Sequence, residues 1–154
     1  MLHKRFYCGK YPTIMLEGML EDCKSFEDFE KKCPEEMLKD DRRVGYYLAD
    51  LLDRYDKKYS LVSEDAMLAT AYVGNAVNGR IKDPSRDALI SICLAIHATV
   101  EETQELLKCA GKAPLYVRKK RDVIIWYGLS KKEPIYQVNA NLIERGLTPL
   151  FKDS

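Results

Sequence analysis

Residues 70–78, Thr-Ala-Tyr-Val-Gly-Asn-Ala-Val-Asn, carry two amides and hydroxyls but no charged group. Asn75 and Asn78 each present a donor and an acceptor on one planar head, which suits paired hydrogen bonding to another planar polar edge. Directly after them come Arg80, Lys82 and Arg86, and farther on runs Arg118-Lys-Lys-Arg121. Those cations suit anionic oxygens, phosphates above all. Ser85 adds a hydroxyl and, at a predicted helix start, free backbone N–H groups that favour the same anions.

Other chemistry is poorly represented. The acidic clusters Glu21-Asp22, Asp40-Asp41 and Glu101-Glu102 are adjacent pairs, and neighbours on a helix diverge instead of converging on one substrate atom. No glycine-rich phosphate loop, nucleophile elbow or His-Glu-x-x-His pattern occurs. The five cysteines, Cys8, Cys23, Cys33, Cys93 and Cys109, include no Cys-x-x-Cys pair, and His3 and His97 have no second ligand nearby in sequence. No catalytic residue, metal site or cofactor is therefore expected. Cys93 and Cys109 fall on apolar helix faces and read as small core hydrophobes.

The 154 residues are 46% hydrophobic and 32% charged, the balance of an ordinary globular domain. No apolar run approaches the roughly 20 residues that a membrane helix needs. The first residues lack the apolar core of about 7–15 residues typical of a secretory signal, so a cytoplasmic location is expected. Net charge is only +1, but it is unevenly spread. Residues 61–79 contain only Glu64 and Asp65 as charges, whereas residues 80–121 hold nine basic and five acidic groups. Phosphate contacts are to be sought between Arg80 and Arg121.

The elements that position these groups are helices. Val44, Tyr47, Leu48, Leu51, Leu52 and Tyr55 recur at helical spacing, with Asp50, Asp53 and Arg54 opposite. Before them, Ser25 reads as an N-cap with Asp28 three positions on, and Pro34 as the start of a further turn. Helices are predicted over about 60–66 and 70–78, the latter stopped by Gly79. Ser85 caps a helix to about residue 97. Thr99 caps another, with Glu102 in capping-box position, which ends at Gly111. The all-α chain divides into a partly helical extension over 1–43, a central unit over 44–115 and a C-terminal helical hairpin over 116–154 on the same core.

That hairpin repeats its predecessor. At a constant offset of 35 residues, Arg86, Asp87, Leu94, Leu107, Gly111, Pro114 and Leu115 match Arg121, Asp122, Leu129, Leu142, Gly146, Pro149 and Leu150. Apolar residues match at Leu89/Ile124, Ile90/Ile125 and Val100/Ile135. Two copies are too few for a solenoid, so the second hairpin is expected to extend one core.

Residues 44–111 resemble the Xre-type, lambda-repressor-like helix-turn-helix family. The resemblance rests on five consecutive helices, with Tyr72-Val73 and Asn78-Gly79 bounding the third, then Pro84-Ser-Arg-Asp-Ala-Leu and Val100-Glu-Glu-Thr-Gln-Glu-Leu-Leu. It is similar in particular to a bacterial subgroup of transcription regulators with a paired C-terminal segment. The resemblance implies a five-helix core with an N-terminal helical extension and a C-terminal hairpin, bound to double-stranded DNA as a homodimer. The third helix would then enter the major groove. Thr70, Ala71, Tyr72, Asn75 and Asn78 would contact base edges. Arg80, Lys82, Ser85 and Arg86 would hold phosphates, with Arg118, Lys119, Lys120 and Arg121 as a second set.

The residues also depart from that pattern. No Lys or Arg lies in 70–78, Glu64 and Asp65 stand on the preceding helix, and the turn glycine expected near position 67 is Met67. Gly74 lies inside the reading helix, where it costs about 1 kcal/mol relative to Ala. Ten Tyr, four Phe and one Trp supply a different surface chemistry, with Tyr46, Tyr47, Tyr55 and Tyr59 in one cluster and Trp126, Tyr127 and Tyr136 in another. Tyr and Trp are enriched at protein interfaces. A protein-interaction module on the same scaffold, without strong DNA binding, is therefore the alternative.

Overall fold

The computed structural model describes residues 13–32 and 43–151, and all regular structure there is helical. The elements are α1 (Thr13–Asp22), α2 (Phe26–Lys32), α3 (Arg43–Arg54), α4 (Tyr59–Asp65), α5 (Tyr72–Val77), α6 (Arg86–Ala95), α7 (Val100–Cys109), α8 (Lys120–Ser130) and α9 (Ile135–Glu144). The expected turn at Pro34 lies outside the described residues.

Capping chemistry sets several boundaries. Ser25 Oγ accepts the Asp28 N–H at 3.1 Å and starts α2. Ser85 Oγ accepts the Ala88 N–H and starts α6. Thr99 and Glu102 form the reciprocal capping box at the start of α7. At C-termini the chain repeatedly turns through a left-handed residue. Gly111 and Gly146 do so at no steric cost, but Asp56, Met67, His97 and Lys132 do so with a side chain.

The apolar stripe of α3 packs as its spacing requires: Val44, Tyr47, Leu48, Leu51 and Leu52 are all buried. Asp50, expected on the solvent side, is buried instead, where Arg54 Nη2 meets its Oδ2 at 3.2 Å. Gly45 permits a close approach. A Cβ there would lie 2.6 Å from the Val77 carbonyl oxygen, so the absence of a side chain lets α3 press on the end of α5. One contiguous apolar core then runs from Val44 through Leu89, Ile92 and Leu106 to Ile125, Leu142 and Leu150.

Within that core the two hairpins, α6–α7 and α8–α9, obey the 35-residue offset in three dimensions. Arg86 donates through Nη1 and Nη2 to Asp122 at 3.2 and 3.0 Å. Arg121 donates through the same atoms to Asp87 at 3.0 and 2.9 Å. Each arginine also spans its own hairpin's closing segment. Arg86 Nε reaches the Ala113 carbonyl, and Arg121 Nε reaches the matching Thr148 carbonyl, both at 2.8 Å. Such crossed pairing, first repeat to second and second to first, is what an internal twofold axis produces. The segment after each hairpin is clamped in parallel fashion. Gln104 holds both backbone groups of Leu115, and Asn139 Oδ1 accepts the Leu150 N–H.

Cys93 is fully buried and free, and burial pushes its thiol up to about 12. Cys109, also read as a core thiol, is instead disulfide-bonded. Among the described residues no helix is long and apolar enough to cross a membrane, and no His, Cys, Asp and Glu cluster could hold a metal ion.

Candidate nucleic-acid interface

Helices α4 and α5 meet through a short turn. Met67 takes φ 63° there, and its N–H and that of Leu68 bond back to the Glu64 and Ser63 carbonyls. Methionine thus occupies the left-handed position for which glycine was expected, and the turn closes on schedule. The buried hydroxyl of Ser63 then fixes the two helices to each other. It donates to the Tyr59 carbonyl at 2.9 Å and accepts the Val73 N–H at 3.1 Å. That second bond satisfies one of the orphan donors at the start of α5, where Ala71 provides no side-chain cap.

Val73 and Ala76 point into the core, and Val77 packs partly against it. The opposite side of the unit carries the sequence candidates. Thr70, Ala71 and Asn78 are exposed and Asn75 is half-buried. Thr70 and Ala71 precede the first helical residue instead of lying within α5. Asn78 has half its amide engaged, because its Oδ1 accepts the Arg80 N–H at 3.0 Å. Gly79 follows at φ 87° and turns the chain out of α5.

Tyr72 departs from its expected role. Its side chain turns inward against the core and lines a half-open cleft of about 210 Å³ with Leu68, Asp83, Ser85, Ala88 and Leu150. Burial raises its phenol above the ordinary tyrosine value. Helix periodicity explains the correction: Tyr72 and Ala76 are four apart, share a face, and Ala76 is buried.

The cations divide into two classes. Arg80 and Lys82 are exposed just after α5 and form no ion pair among the described residues. Arg118, Lys119 and Lys120 are exposed before and at the start of α8, likewise unpaired there. Arg86 and Arg121, expected to hold phosphates, are consumed by the crossed carboxylate pairs. Arg86 adds the Pro114 carbonyl at 3.0 Å, so at least four of its roughly five donors are taken. The Ser85 hydroxyl is occupied as a cap.

Two lysines that the sequence reading passed over belong with the first class. Lys57 and Lys58 are exposed immediately before α4 and form no ion pair among the described residues. Tyr59 follows them, and a Cβ at Gly74 would lie 4.0 Å from its ring, so the start of α4 borders the outer side of α5. The signal was available as two consecutive lysines before a helix, but they fall outside the charge-rich stretch after residue 80. Glu64 and Asp65 remain exposed on α4 and oppose any polyanion there. Comparison with protein-family models, curated proteins and solved structures finds no match to this chain.

Proposed function

We propose that the chain is a sequence-specific DNA-binding transcription regulator of the helix-turn-helix kind, with a lambda-repressor-like core, in which α5 enters the major groove. One observation carries this reading. The outward side of the α4–turn–α5 unit bears Thr70, Ala71, Asn75 and Asn78, held by the Ser63 bridge and bordered by Lys57, Lys58, Arg80 and Lys82, exposed cations with no ion pair among the described residues. Asparagine pairs with adenine edges, and methyl groups of Ala and Thr meet thymine methyls. Specificity then comes from amides and methyls, and affinity from the bordering lysines and arginine. Such a regulator acts beside the chromosome, in the cytoplasm.

Fluorescence anisotropy with duplex DNA at several salt concentrations tests it. Log K is expected to fall by roughly 0.9 for each phosphate neutralised, per unit of log salt. Absence of binding to any genomic duplex at low salt overturns the proposal. A second reading, a protein-interaction module on this scaffold, is favoured by the exposure of Val123, Tyr127 and Tyr136 on the second hairpin.

A further inference from the structure

The internal repeat allows one surface of the molecule to be read from another. In the first hairpin, α4 lies on α6 and α3 lies on α7. Ala88, Ile92 and Ile96 of α6 and its C-terminal turn, and Leu106 of α7, are buried. At the 35-residue offset the same positions of the second hairpin are Val123, Tyr127, Lys131 and Asn141. No helix among the described residues covers them equally. Val123 is 42% exposed and Tyr127 is 53% exposed. Trp126, opposite Ser91 in the repeat, is half-buried beside them.

Among the described residues the second hairpin thus leaves an apolar patch, Val123 and Tyr127, uncovered where the first hairpin carries α4. Its frame is basic. Lys131 sits over the Tyr127 ring at 5.7 Å, Lys120 is exposed at the start of α8, and Arg145 is exposed just after α9. Of the acids nearby, Asp122 is buried in its pair with Arg86, Glu133 is half-buried and Glu144 lies 3.7 Å from Arg145.

Helix α1 has the complementary character. Its sequence, Thr-Ile-Met-Leu-Glu-Gly-Met-Leu-Glu-Asp, holds three carboxylates and no basic group. Leu20 on it is 53% exposed. Leu20 and Tyr127 are therefore both uncovered in the same folded chain, so one copy does not join them. We infer that α1 of a second copy docks on the face formed by Val123, Trp126 and Tyr127, with Glu17, Glu21 and Asp22 set toward the lysine and arginine frame. Two such contacts, each chain giving α1 and receiving its partner's, close a twofold dimer. The inference stands apart from the DNA reading, because neither α1 nor α8 belongs to the outward side of α5.

Sedimentation of the full chain over a wide concentration range tests it. A concentration-dependent monomer–dimer equilibrium is expected, weakened as salt rises. Leu20→Lys and Tyr127→Lys should each raise the dimer dissociation constant by tenfold or more. Both side chains are exposed, so unchanged helical circular dichroism and melting are expected of both. Mixing the two variants restores one intact contact, so the mixture should dimerise more tightly than either variant alone. If a variant melts early, Glu17→Lys combined with Glu21→Lys supplies the same α1 test without touching an apolar group. A chain that stays monomeric at all concentrations overturns the inference. So does a dimer lost with Tyr127→Lys but indifferent to every α1 variant, which would place face against face.

Discussion

The guanidinium of Arg86 grips the carboxylate of Asp122 with two hydrogen bonds, and Asp122 is 3% exposed. Asp122 also accepts the Tyr116 N–H at 2.9 Å. Its mirror partner, Asp87, has a side chain 25% exposed and pairs with Arg121. Removing one member of a buried pair costs roughly 3–5 kcal/mol, whereas solvent screening lowers that figure for accessible pairs. Asp122→Ala should therefore destabilise the fold by about 3 kcal/mol and Asp87→Ala by less. Urea denaturation checks the order; equal losses would deny that burial distinguishes the two pairs.

Glu102 offers a pH handle. Burial pushes its carboxyl up, but the Thr99 N–H, the Tyr55 hydroxyl and the Arg54 guanidinium outweigh burial and hold it below the ordinary carboxylate value of 4.5. A group lowered on folding adds stability above its unfolded pKa and loses it as pH falls through the folded one. The wild-type chain should lose this contribution as pH drops below about 4.5, the ordinary value. Glu102→Gln should be less stable at neutral pH and show a flatter acid limb. Melting temperature against pH between neutrality and strong acid provides the comparison, and parallel curves would remove Glu102 from the account.

Gly45→Ala addresses how α5 is seated. The new methyl group would meet the Val77 carbonyl oxygen at 2.6 Å, and backbone cannot rotate away. Overpacking of this kind costs about 1–3 kcal/mol. Gly128→Ala would meet the Val138 Cγ2 atom at 2.5 Å, a side-chain methyl with some freedom to move. Thermal melts should rank Gly45→Ala as the more damaging. Because α3 backs α5, any DNA affinity of a folded Gly45→Ala chain should fall too.

Two substitutions separate reading from holding. Asn75→Ala should relax sequence preference at one or two base pairs with little change on nonspecific duplex. Arg80→Ala should weaken binding to every duplex alike and reduce the salt slope by about 1. Anisotropy titrations on a matched and a scrambled duplex make the distinction, and an equal loss on both from Asn75→Ala removes it from the base-contacting set.

Local signals were the most legible part of this sequence. Ser25, Ser85, Thr99 and Gly79 act within a few residues of themselves, and they start or stop helices as their chemistry dictates. The 35-residue offset was equally plain, because identities at fixed spacing need no knowledge of contacts. What spacing does not contain is the identity of a long-range partner. Arg86 and Arg121 read as free cations, since their carboxylates lie 36 and 34 positions away. Asp50 is a different case: its partner Arg54 lies only four residues on, but helical spacing alone does not show that the pair turns the carboxylate inward. Met67 looked like an obstacle to the α4–α5 turn, yet the turn's own hydrogen bonds hold it at positive φ. For Tyr72 the inward face was legible from its spacing to Ala76, but not the cleft it lines, because Leu150 comes from the far end of the chain.

The crossed arginine and aspartate pairs also constrain how the molecule opens. If α8–α9 detached, Arg86 and Asp87 would each lose a partner at once, and so would Arg121 and Asp122. Neither hairpin can fray away without stranding charge in the other. Amide protons of α6 through α9 should accordingly exchange with solvent as one cooperative block, at a common free energy.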